Sequence, residues 1–227
     1  MDIKPLRRIR SFALRTGRMT EGQQRAYQEN WQRFGLTIDQ GIVDQNAVFG
    51  RSAPLVVEVG FGMGQSLVEM AKAEPDKDFI GIEVHTPGVA KLMMMAAELD
   101  LPNLKVFEFD AIDVFEKCIS EASIDRFQLY FPDPWHKKRH HKRRIVKPEF
   151  MDLLAKHVKP GGMVHFATDW ENYAEHMMEV VTHSEDFENI AGEEKFSERP
   201  DWRPYTKFER RGERLGHGVW DILLKRR

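Results

Sequence analysis

The sequence of 227 residues predicts an α/β fold, in which helices flank a mostly parallel seven-stranded sheet that ends in an antiparallel strand pair. Three observations predict it. Short β-branched or aromatic runs alternate with helical stretches over most of the chain, which is the pattern of βαβ units. A glycine-rich turn joins the first of these strands to the helix after it. The last two strand-like runs have no helix of useful length between them, so we expect them to pair antiparallel.

The predicted elements follow one another in a regular order. Thr20 and Gln23 form a capping box for a first helix that runs toward Trp31 and Phe34. The predicted strands are residues 55–59, 79–83, 104–109, 127–131, 163–167, 187–190 and 218–224. The predicted helices among them are residues 65–72, 87–99, 111–117, 148–158 and 171–182. We expect one globular domain over residues 35–227, preceded by a basic arm and helix over residues 1–34.

The composition favours a reducing compartment. Cys118 is the single cysteine, so it cannot form an internal disulfide or a cysteine-rich metal site, and we expect it to be a small buried side chain. No apolar run approaches the ~18 residues that a membrane helix needs, and the N-terminus is too polar for a secretory signal. We therefore expect a soluble, cytoplasmic protein without a membrane partner.

Two basic blocks lie on a chain whose formal net charge is −2. The first block comprises Lys4, Arg7, Arg8, Arg10, Arg15 and Arg18, against one acid, Asp2. The second comprises Lys137, Lys138, Arg139, Lys142, Arg143 and Arg144, interleaved with His140 and His141 and without an acid. Local basic blocks on an acidic protein indicate a defined anionic partner. For either block alone, a solvated charged loop remains the alternative.

A glycine-rich turn, read as EVGFGMGQ over residues 58–65, follows the strand at 55–59. Gly60 and Gly62 let the backbone turn sharply and let a ligand approach closely. The turn is not the dinucleotide fingerprint, because Gln65 occupies the position of the third glycine. Glu58, just ahead of the turn, would repel a pyrophosphate and attract a cation. This favours S-adenosylmethionine, whose amino group and sulfonium are both positive.

Two further acids follow the next two strands. Glu83 ends its strand, where a carboxylate can accept hydrogen bonds from both ribose hydroxyls of a nucleotide. Asp110 ends the strand after it and precedes Ala111, where the edge of an adenine would lie. Each acid alone could equally cap a helix. With Glu58, they predict a cofactor pocket along the sheet edge, in the outline of a class I methyltransferase rather than a dinucleotide dehydrogenase.

Residues 131–140 read FPDPWHKKRH and follow the fourth of the predicted strands. Two prolines bracket Asp133 and restrict its backbone. With Thr168 and Asp169 after the fifth strand and TKFER at residues 206–210, the sequence resembles the bacterial tRNA (guanine-N7)-methyltransferase family. Residues 9–12 and 17–20 also look like the arm of that family, so the resemblance covers nearly the whole chain.

The resemblance implies methyl transfer from S-adenosylmethionine to N7 of a guanine in tRNA, at position 46 of the variable loop. It implies a cofactor pocket of Glu58, Gly60, Gly62, Glu83, Asp110, Ala111 and Asp133, with Asp133 also at the reacting centre as the catalytic residue. It implies guanosine contacts by Lys137, Asp169, Thr206, Lys207, Phe208 and Glu209. It implies RNA backbone contacts by Arg139, His140, His141, Lys142, Arg143 and Arg144. The chain could act as a monomer or a homodimer.

Other functions remain open at this stage. A class I methyltransferase that acts on a small molecule, or a polyamine synthase of the same fold, does not explain two basic blocks beside the cofactor face. A non-catalytic RNA-binding protein with a vestigial glycine turn does not explain carboxylates that would repel phosphate. Binding of S-adenosylmethionine, measured by calorimetry with and without tRNA, separates these classes.

The aromatic and histidine residues of the 131–140 motif allow further interpretations. His136 and His140 are four residues apart and could hold a metal if they were helical, but a proline-led basic loop is a poor helix, so we expect no metal. Trp135 could stack on a base. We expect instead that it packs under the loop.

Overall fold

The computed structural model describes residues 11–12, 19–205, 209 and 218–227. Over these residues the strands are β1 Gly35–Leu36, β2 Leu55–Val59, β3 Asp78–Glu83, β4 Leu104–Glu108, β5 Ile124–Tyr130, β6 Val158–Thr168, β7 Phe187–Asn189 and β8 Trp220–Arg226. The helices are α1 Glu21–Phe34, α2 Gln45–Phe49, α3 Gln65–Ala73, α4 Thr86–Glu98, α5 Ala111–Cys118, α6 Pro148–His157 and α7 Glu171–Thr182. Two short 3₁₀ helices span Ile38–Gln40 and Lys138–Arg143.

The strands form one sheet in the order β1-β4-β3-β2-β5-β6-β8-β7. Neighbours from β1 to β6 pair in parallel, whereas β8 pairs antiparallel with both β6 and β7. The predicted parallel sheet with a terminal antiparallel pair is confirmed. The described part of the chain adds an eighth strand, the two-residue β1, which was not predicted because so short a segment has no periodicity.

The core lies on both faces of this sheet because neighbouring residues of a strand point to opposite sides. Val57 and Phe127 face a cluster with α5, α6 and α7, which also buries Cys118 as expected. Val56 and Phe79 face a second cluster beneath α1, α3 and α4. No helix among the described residues combines the length and the apolar character needed to cross a bilayer.

Helix α1 begins at the predicted capping box. The Thr20 hydroxyl accepts from the Gln23 amide at 3.2 Å, and the Gln23 side chain accepts from the Thr20 amide at 2.9 Å. At the other end of the helix, Phe34 is buried in the second cluster. Between them, the Tyr27 hydroxyl donates to Glu108 at 2.7 Å. These contacts anchor α1 beside the carboxyl end of β4, so the N-terminal end of α1 lies near the edge where the predicted site residues gather.

Candidate active site

A cavity of about 210 Å³ lies at the carboxyl edge of β2, β3, β4 and β5. In an open parallel sheet this edge, where the strand order reverses, is the usual position for a ligand. The lining includes four of the predicted cofactor residues: Gly60, Glu83, Ala111 and Asp133. The order β3-β2-β5 explains why residues from three distant segments meet there.

The glycine turn meets this cavity at Gly60, which lines it. Gly60 has φ +74° and Gly62 has φ +58°, which is the left-handed region that glycine enters without a steric penalty. A Cβ built on either residue meets no other described atom within 4 Å. The open space above both glycines suits the close approach of a ligand to the backbone, as the sequence predicts.

Glu83 is held by the backbone at the end of β3. Its carboxylate accepts from the amide of Gly62 at 2.8 Å, and from the amides of Val84 and His85 at 2.7 and 3.1 Å. These donors fix the orientation of the carboxylate, and the bond from Gly62 joins the glycine turn to Glu83. Glu83 therefore presents a preset acceptor to the cavity that it lines.

Glu58 lies beneath the turn and is only 3% exposed. Within the part of the chain that the structure describes, its Oε2 atom has no hydrogen-bond partner. Burial raises the pKa of Glu58 to about 8, which Arg126 opposes and Glu83 reinforces. A buried carboxyl oxygen without a hydrogen-bond partner is costly, and a cation beside it would favour the ionised form, so this oxygen marks a position that suits a cationic group.

Asp110 caps α5, and the strand before it ends earlier than predicted. The strand ends at Glu108 rather than Phe109, and the Asp110 carboxylate accepts from the amide of Ile112 at 3.0 Å. The helix-capping alternative therefore holds for this acid. The cavity wall here is formed by Ala111 and by Phe109, an exposed aromatic residue that the sequence interpretation did not single out.

The reaction loop, residues 131–136, leaves β5 through a strained turn. Phe131 has φ +50° and Trp135 has φ +52°, values that cost a non-glycine residue of order 1–3 kcal/mol each. The Phe131 amide still donates to Ala167 of β6 at 2.8 Å. Asp133 lies between the two strained residues, is exposed and lines the cavity. The loop thus presents a carboxylate at the cavity mouth, where a substrate can reach it.

Trp135 packs against its own loop and against the arm. The Arg143 guanidinium lies 4.9 Å from one indole ring centroid, and His140 meets the indole edge-on at 6.1 Å. The indole N–H donates to the carbonyl oxygen of Ser11 at 3.1 Å. Ser11 and Phe12 also line the cavity. The packing interpretation of Trp135 therefore fits the geometry, and the arm meets the cavity at Ser11 and Phe12.

The second basic block forms a short 3₁₀ helix where a loop was expected. Its exposed cations are Lys137, Lys138, Arg139 and Lys142. Desolvation and the neighbouring cations lower the pKa values of His140 and His141 below the usual value. Both imidazoles are therefore neutral at pH 7 and act as hydrogen-bonding groups there, while the exposed cations carry the charge.

Arg144 departs from the prediction that it contacts RNA. It is only 3% exposed, and its guanidinium donates to the Pro134 carbonyl oxygen at 3.0 Å and to the Asn172 side chain at 2.8 Å. The guanidinium also lies 4.7 Å from the ring centroid of Tyr173. Arg144 thus ties the reaction loop to α7, and its donors are not free for a phosphate in this conformation.

The other predicted substrate residues divide between described and undescribed parts of the chain. Asp169 is exposed directly after β6 and, because β5 and β6 pair in parallel, it lies at the same sheet edge as the reaction loop. Glu209 is buried and forms an ion pair with Arg203 at 2.6 Å. Thr206, Lys207 and Phe208 lie outside the described residues, as do the six cations of the first basic block.

No cluster of three or more potential metal ligands occurs among the described residues. His136 packs edge-on against Trp170, with ring centroids 4.2 Å apart, whereas His140 contacts Trp135. The two imidazoles therefore meet different aromatic neighbours and not a common ligand position.

A family model described as "Putative methyltransferase" matches residues 52–222. The tRNA (guanine-N(7)-)-methyltransferase of Alcanivorax borkumensis is 58% identical to this chain over 224 residues, which cover 99% of this chain and 94% of that protein. The chain belongs to the tRNA (guanine-N(7)-)-methyltransferase family. The resemblance drawn from the reaction loop is confirmed, and the family membership extends over nearly the full length of both proteins.

Solved structures support the fold of this family member but not its reaction. The 16S rRNA methyltransferase KamB is 16% identical, with a TM-score of 0.56 over 81% of this chain and 94% of that chain. The [4+2]-cyclase SpnF is 15% identical, with a TM-score of 0.53 over 77% of this chain and 75% of that one. Because one fold hosts a methyltransferase and a cyclase, the fold alone does not establish methyl transfer.

Sequence reasoning missed several residues of the methyltransferase site. Tyr130, Phe109, Ser11 and Phe12 line the cavity, and Arg203 contacts Glu209. Tyr130 had a usable signal, since it is a polar aromatic residue at the end of a buried strand. Arg203 had none, because its partner Asp221 lies on β8, 18 residues further along the chain.

Proposed function

We propose that this chain transfers the methyl group of S-adenosylmethionine to N7 of a guanine in tRNA, the guanine at position 46 of the variable loop. One observation carries the proposal: a cavity that presents the carboxylates of Glu83 and Asp133 lies beside a segment with four exposed cations. The acids suit a cationic cofactor and the cations suit a polyanionic substrate.

The residues at and beside the cavity fit S-adenosylmethionine. Glu58 is buried just before Val59 and Gly60, which line the cavity, and its unpartnered oxygen suits the ammonium of the methionine part; the preset carboxylate of Glu83 suits the ribose hydroxyls. Ala111 and Phe109 offer apolar surface to the adenine, beside Asp110, while Gly60 and Gly62 leave room for the backbone approach. When bound, the cofactor supplies a methyl group on a positively charged sulfur.

Asp133 acts by its charge rather than as a base. N7 of guanine carries an in-plane lone pair and no proton, so its attack on a methyl group requires no proton removal. The purine becomes cationic as it is methylated, and its N–H donors become more acidic. A carboxylate fixed beside these donors therefore binds the transition state more tightly than the ground state.

The neighbouring residues would hold the RNA. Lys137, Asp169 and Glu209, with Thr206, Lys207 and Phe208 from the same C-terminal stretch, would contact the target guanosine. Arg139, His140, His141, Lys142 and Arg143 would follow the RNA backbone. In this proposal Arg144 holds the reaction loop in place and does not contact phosphate, because its donors are already engaged.

We also propose a domain organisation, a compartment and an oligomeric state for this enzyme. The arm and helix over residues 1–34 would precede a single catalytic domain over residues 35–227. The enzyme would act in the cytoplasm, where its RNA substrate is found and where an unpaired cysteine is stable. It would do so as a monomer or a homodimer.

The test is a methyl-transfer assay with labelled S-adenosylmethionine and an unmodified tRNA transcript, followed by digestion to nucleosides. We expect the label in 7-methylguanosine, and we expect it to disappear when guanine 46 of the transcript is replaced by adenine. Label in another nucleoside would refute the proposed target atom. Label that persists in the changed transcript would refute the proposed position.

A further inference from the structure

A chain of polar side chains crosses one face of the sheet beneath the reaction loop. Gln128 and Tyr130 of β5 are hydrogen-bonded to each other, and the Tyr130 hydroxyl lies 2.8 Å from Nδ1 of His165 on β6. Nε2 of His165 lies 2.6 Å from Oδ1 of Asp221 on β8. Arg203 contacts both oxygens of Asp221, at 2.8 and 2.9 Å. All five residues are buried.

The direction of these hydrogen bonds follows from the charges. Burial lowers the pKa of His165 below its usual value although Asp221 opposes the shift, so the imidazole is neutral. Burial alone would raise the pKa of Asp221, but the hydrogen bond from His165 and the charge of Arg203 hold it below its usual value. His165 therefore donates through Nε2 to a carboxylate, and its Nδ1 accepts from the Tyr130 hydroxyl.

Asp221 engages two of the three guanidinium nitrogens of Arg203 and leaves Nη1 for another partner. Asp221 engages Nε and Nη2, which fixes the plane of the guanidinium in a bidentate pair. Nη1 lies 2.6 Å from Oε1 of Glu209 and forms an ion pair with it, without the angle of a hydrogen bond. Asp221 of β8 thus anchors the arginine, and the arginine in turn holds the carboxylate of Glu209.

This arrangement lies directly under the reaction loop. The Arg203 guanidinium carbon is 5.9 Å from the Tyr130 ring centroid and 5.7 Å from the Phe131 ring centroid. Both aromatic residues line the cavity, and Phe131 is two residues before Asp133. The position of Glu209 is therefore set by a group that packs against the base of the loop that carries the proposed catalytic residue.

We propose that Arg203 is a positioning residue, which uses Asp221 as its anchor and holds the Glu209 carboxylate in register with the reaction loop so that the target guanine meets Asp133. The inference rests on the proposed function in one respect, namely that Glu209 contacts the guanosine. Lysine cannot replace arginine in this role, because a single ammonium cannot form a planar bidentate pair and reach a second carboxylate as well.

The first test compares two arginine-to-lysine variants. Arg203→Lys keeps the charge and loses the fork, and we expect turnover on tRNA to fall by roughly tenfold or more, as for a displaced preorganised group. The dissociation constant for S-adenosylmethionine, measured by calorimetry, and the KM for tRNA are expected to change by less than about threefold. Arg51→Lys is the control, since Arg51 pairs with wholly buried Asp78 at the opposite edge of the sheet. The control should keep its turnover even where its melting temperature falls.

A double-mutant cycle separates positioning from support of the fold. If Arg203 acts through Glu209, then Arg203→Lys should cost little further turnover in a Glu209→Gln background. Additive losses, or a lowered melting temperature with full turnover, would overturn the inference. Should Arg203→Lys not fold, Asp221→Asn removes the anchor's charge with its shape kept and enters the same cycle with the same expected result.

Failure of the inference can be distinguished from failure of the proposed function. A wild-type enzyme that forms no 7-methylguanosine would refute the function. Full turnover in Glu209→Gln would remove Glu209 from the guanosine site and the inference with it. A wild-type enzyme that forms 7-methylguanosine, a slow Glu209→Gln variant and a fully active Arg203→Lys variant would refute the role of Arg203 alone.

Discussion

The carboxyl edge of the sheet has two halves. In the acid half, at β2 and β3, carboxyl groups lie without a paired cation from the described part of the chain; in the other half, at β5 to β8, carboxylates pair with arginine and exposed cations lie nearby. At β2 and β3, Glu83 is held by backbone amides, and one oxygen of Glu58 has no hydrogen-bond partner among the described residues. At β5 to β8, Asp221 and Glu209 share Arg203, and four exposed cations, Lys137, Lys138, Arg139 and Lys142, follow the reaction loop. The difference fits two ligands of opposite charge. A cationic cofactor brings its own counter-charge, whereas a polyanionic substrate needs cations from the protein.

Asp133→Asn should give the largest effect, because Asp133 lies where the two halves meet. The amide keeps the shape of the side chain and loses its charge, so turnover should fall by roughly 10²–10³, as for loss of one preorganised electrostatic group. The KM for tRNA should move much less. Single-turnover methyl transfer at saturating tRNA and cofactor measures the chemical step. Wild-type chemistry in a folded variant would leave Asp133 as a loop-capping residue.

Glu83→Ala should give the next largest effect, confined to the acid half. Loss of hydrogen bonds to a charged group costs roughly 1.5–3 kcal/mol of cofactor binding, while tRNA affinity should stay nearly unchanged. Calorimetry measures the first and a filter-binding assay the second. Unaltered affinity for S-adenosylmethionine in a folded variant would remove Glu83 from the cofactor site.

Neutralising cations should affect only the other half. In the triple change Lys138→Gln, Arg139→Gln and Lys142→Gln, each lost phosphate contact should reduce the salt-dependence slope of tRNA binding by up to about 0.9. The control changes Lys72, Lys156 and Lys225 to Gln, since these exposed lysines lie at the opposite edge of the sheet. Equal slopes for the triple variant and the wild type would indicate that the second basic block is a solvated segment that does not contact tRNA.

Arg144→Gln sharpens the same contrast between exposed and buried cations. Because Arg144 holds Pro134 and Asn172, its loss should slow turnover and lower the melting temperature, without the reduction in salt slope that the triple variant shows. A salt titration alongside a thermal melt distinguishes the two. A reduced slope with an unchanged melting temperature would place Arg144 on the RNA after all.

The sequence could predict which strand ends carry the acidic site residues, but it could not predict how the buried charged residues pair. Alternating strand and helix runs placed Glu58, Glu83 and Asp133 at one edge because parallel strands end at the same side of a sheet. Nothing in a run of cations indicates that Arg144 turns inward. The Arg203 cluster joins a residue outside the strands to Tyr130 of β5, His165 of β6 and Asp221 of β8, so it depends on the sheet order. Its one signal is local: Gln128 and His165 are polar residues in the middle of otherwise apolar strands.

The acid half of the edge is proposed to bind a cationic cofactor. The number of protons released on cofactor binding tests this most directly. With a pKa of about 8, Glu58 is mostly protonated at pH 7 in the free enzyme. It must ionise to meet the ammonium of S-adenosylmethionine, so binding at pH 7 should release a proton from Glu58, and affinity should rise as the pH rises toward 8. Calorimetry at pH 7 in buffers of different ionisation enthalpy gives the count, and Glu58→Gln is the control. A release seen in the wild type and absent from Glu58→Gln agrees with the account, whereas an equal count in both proteins would contradict it.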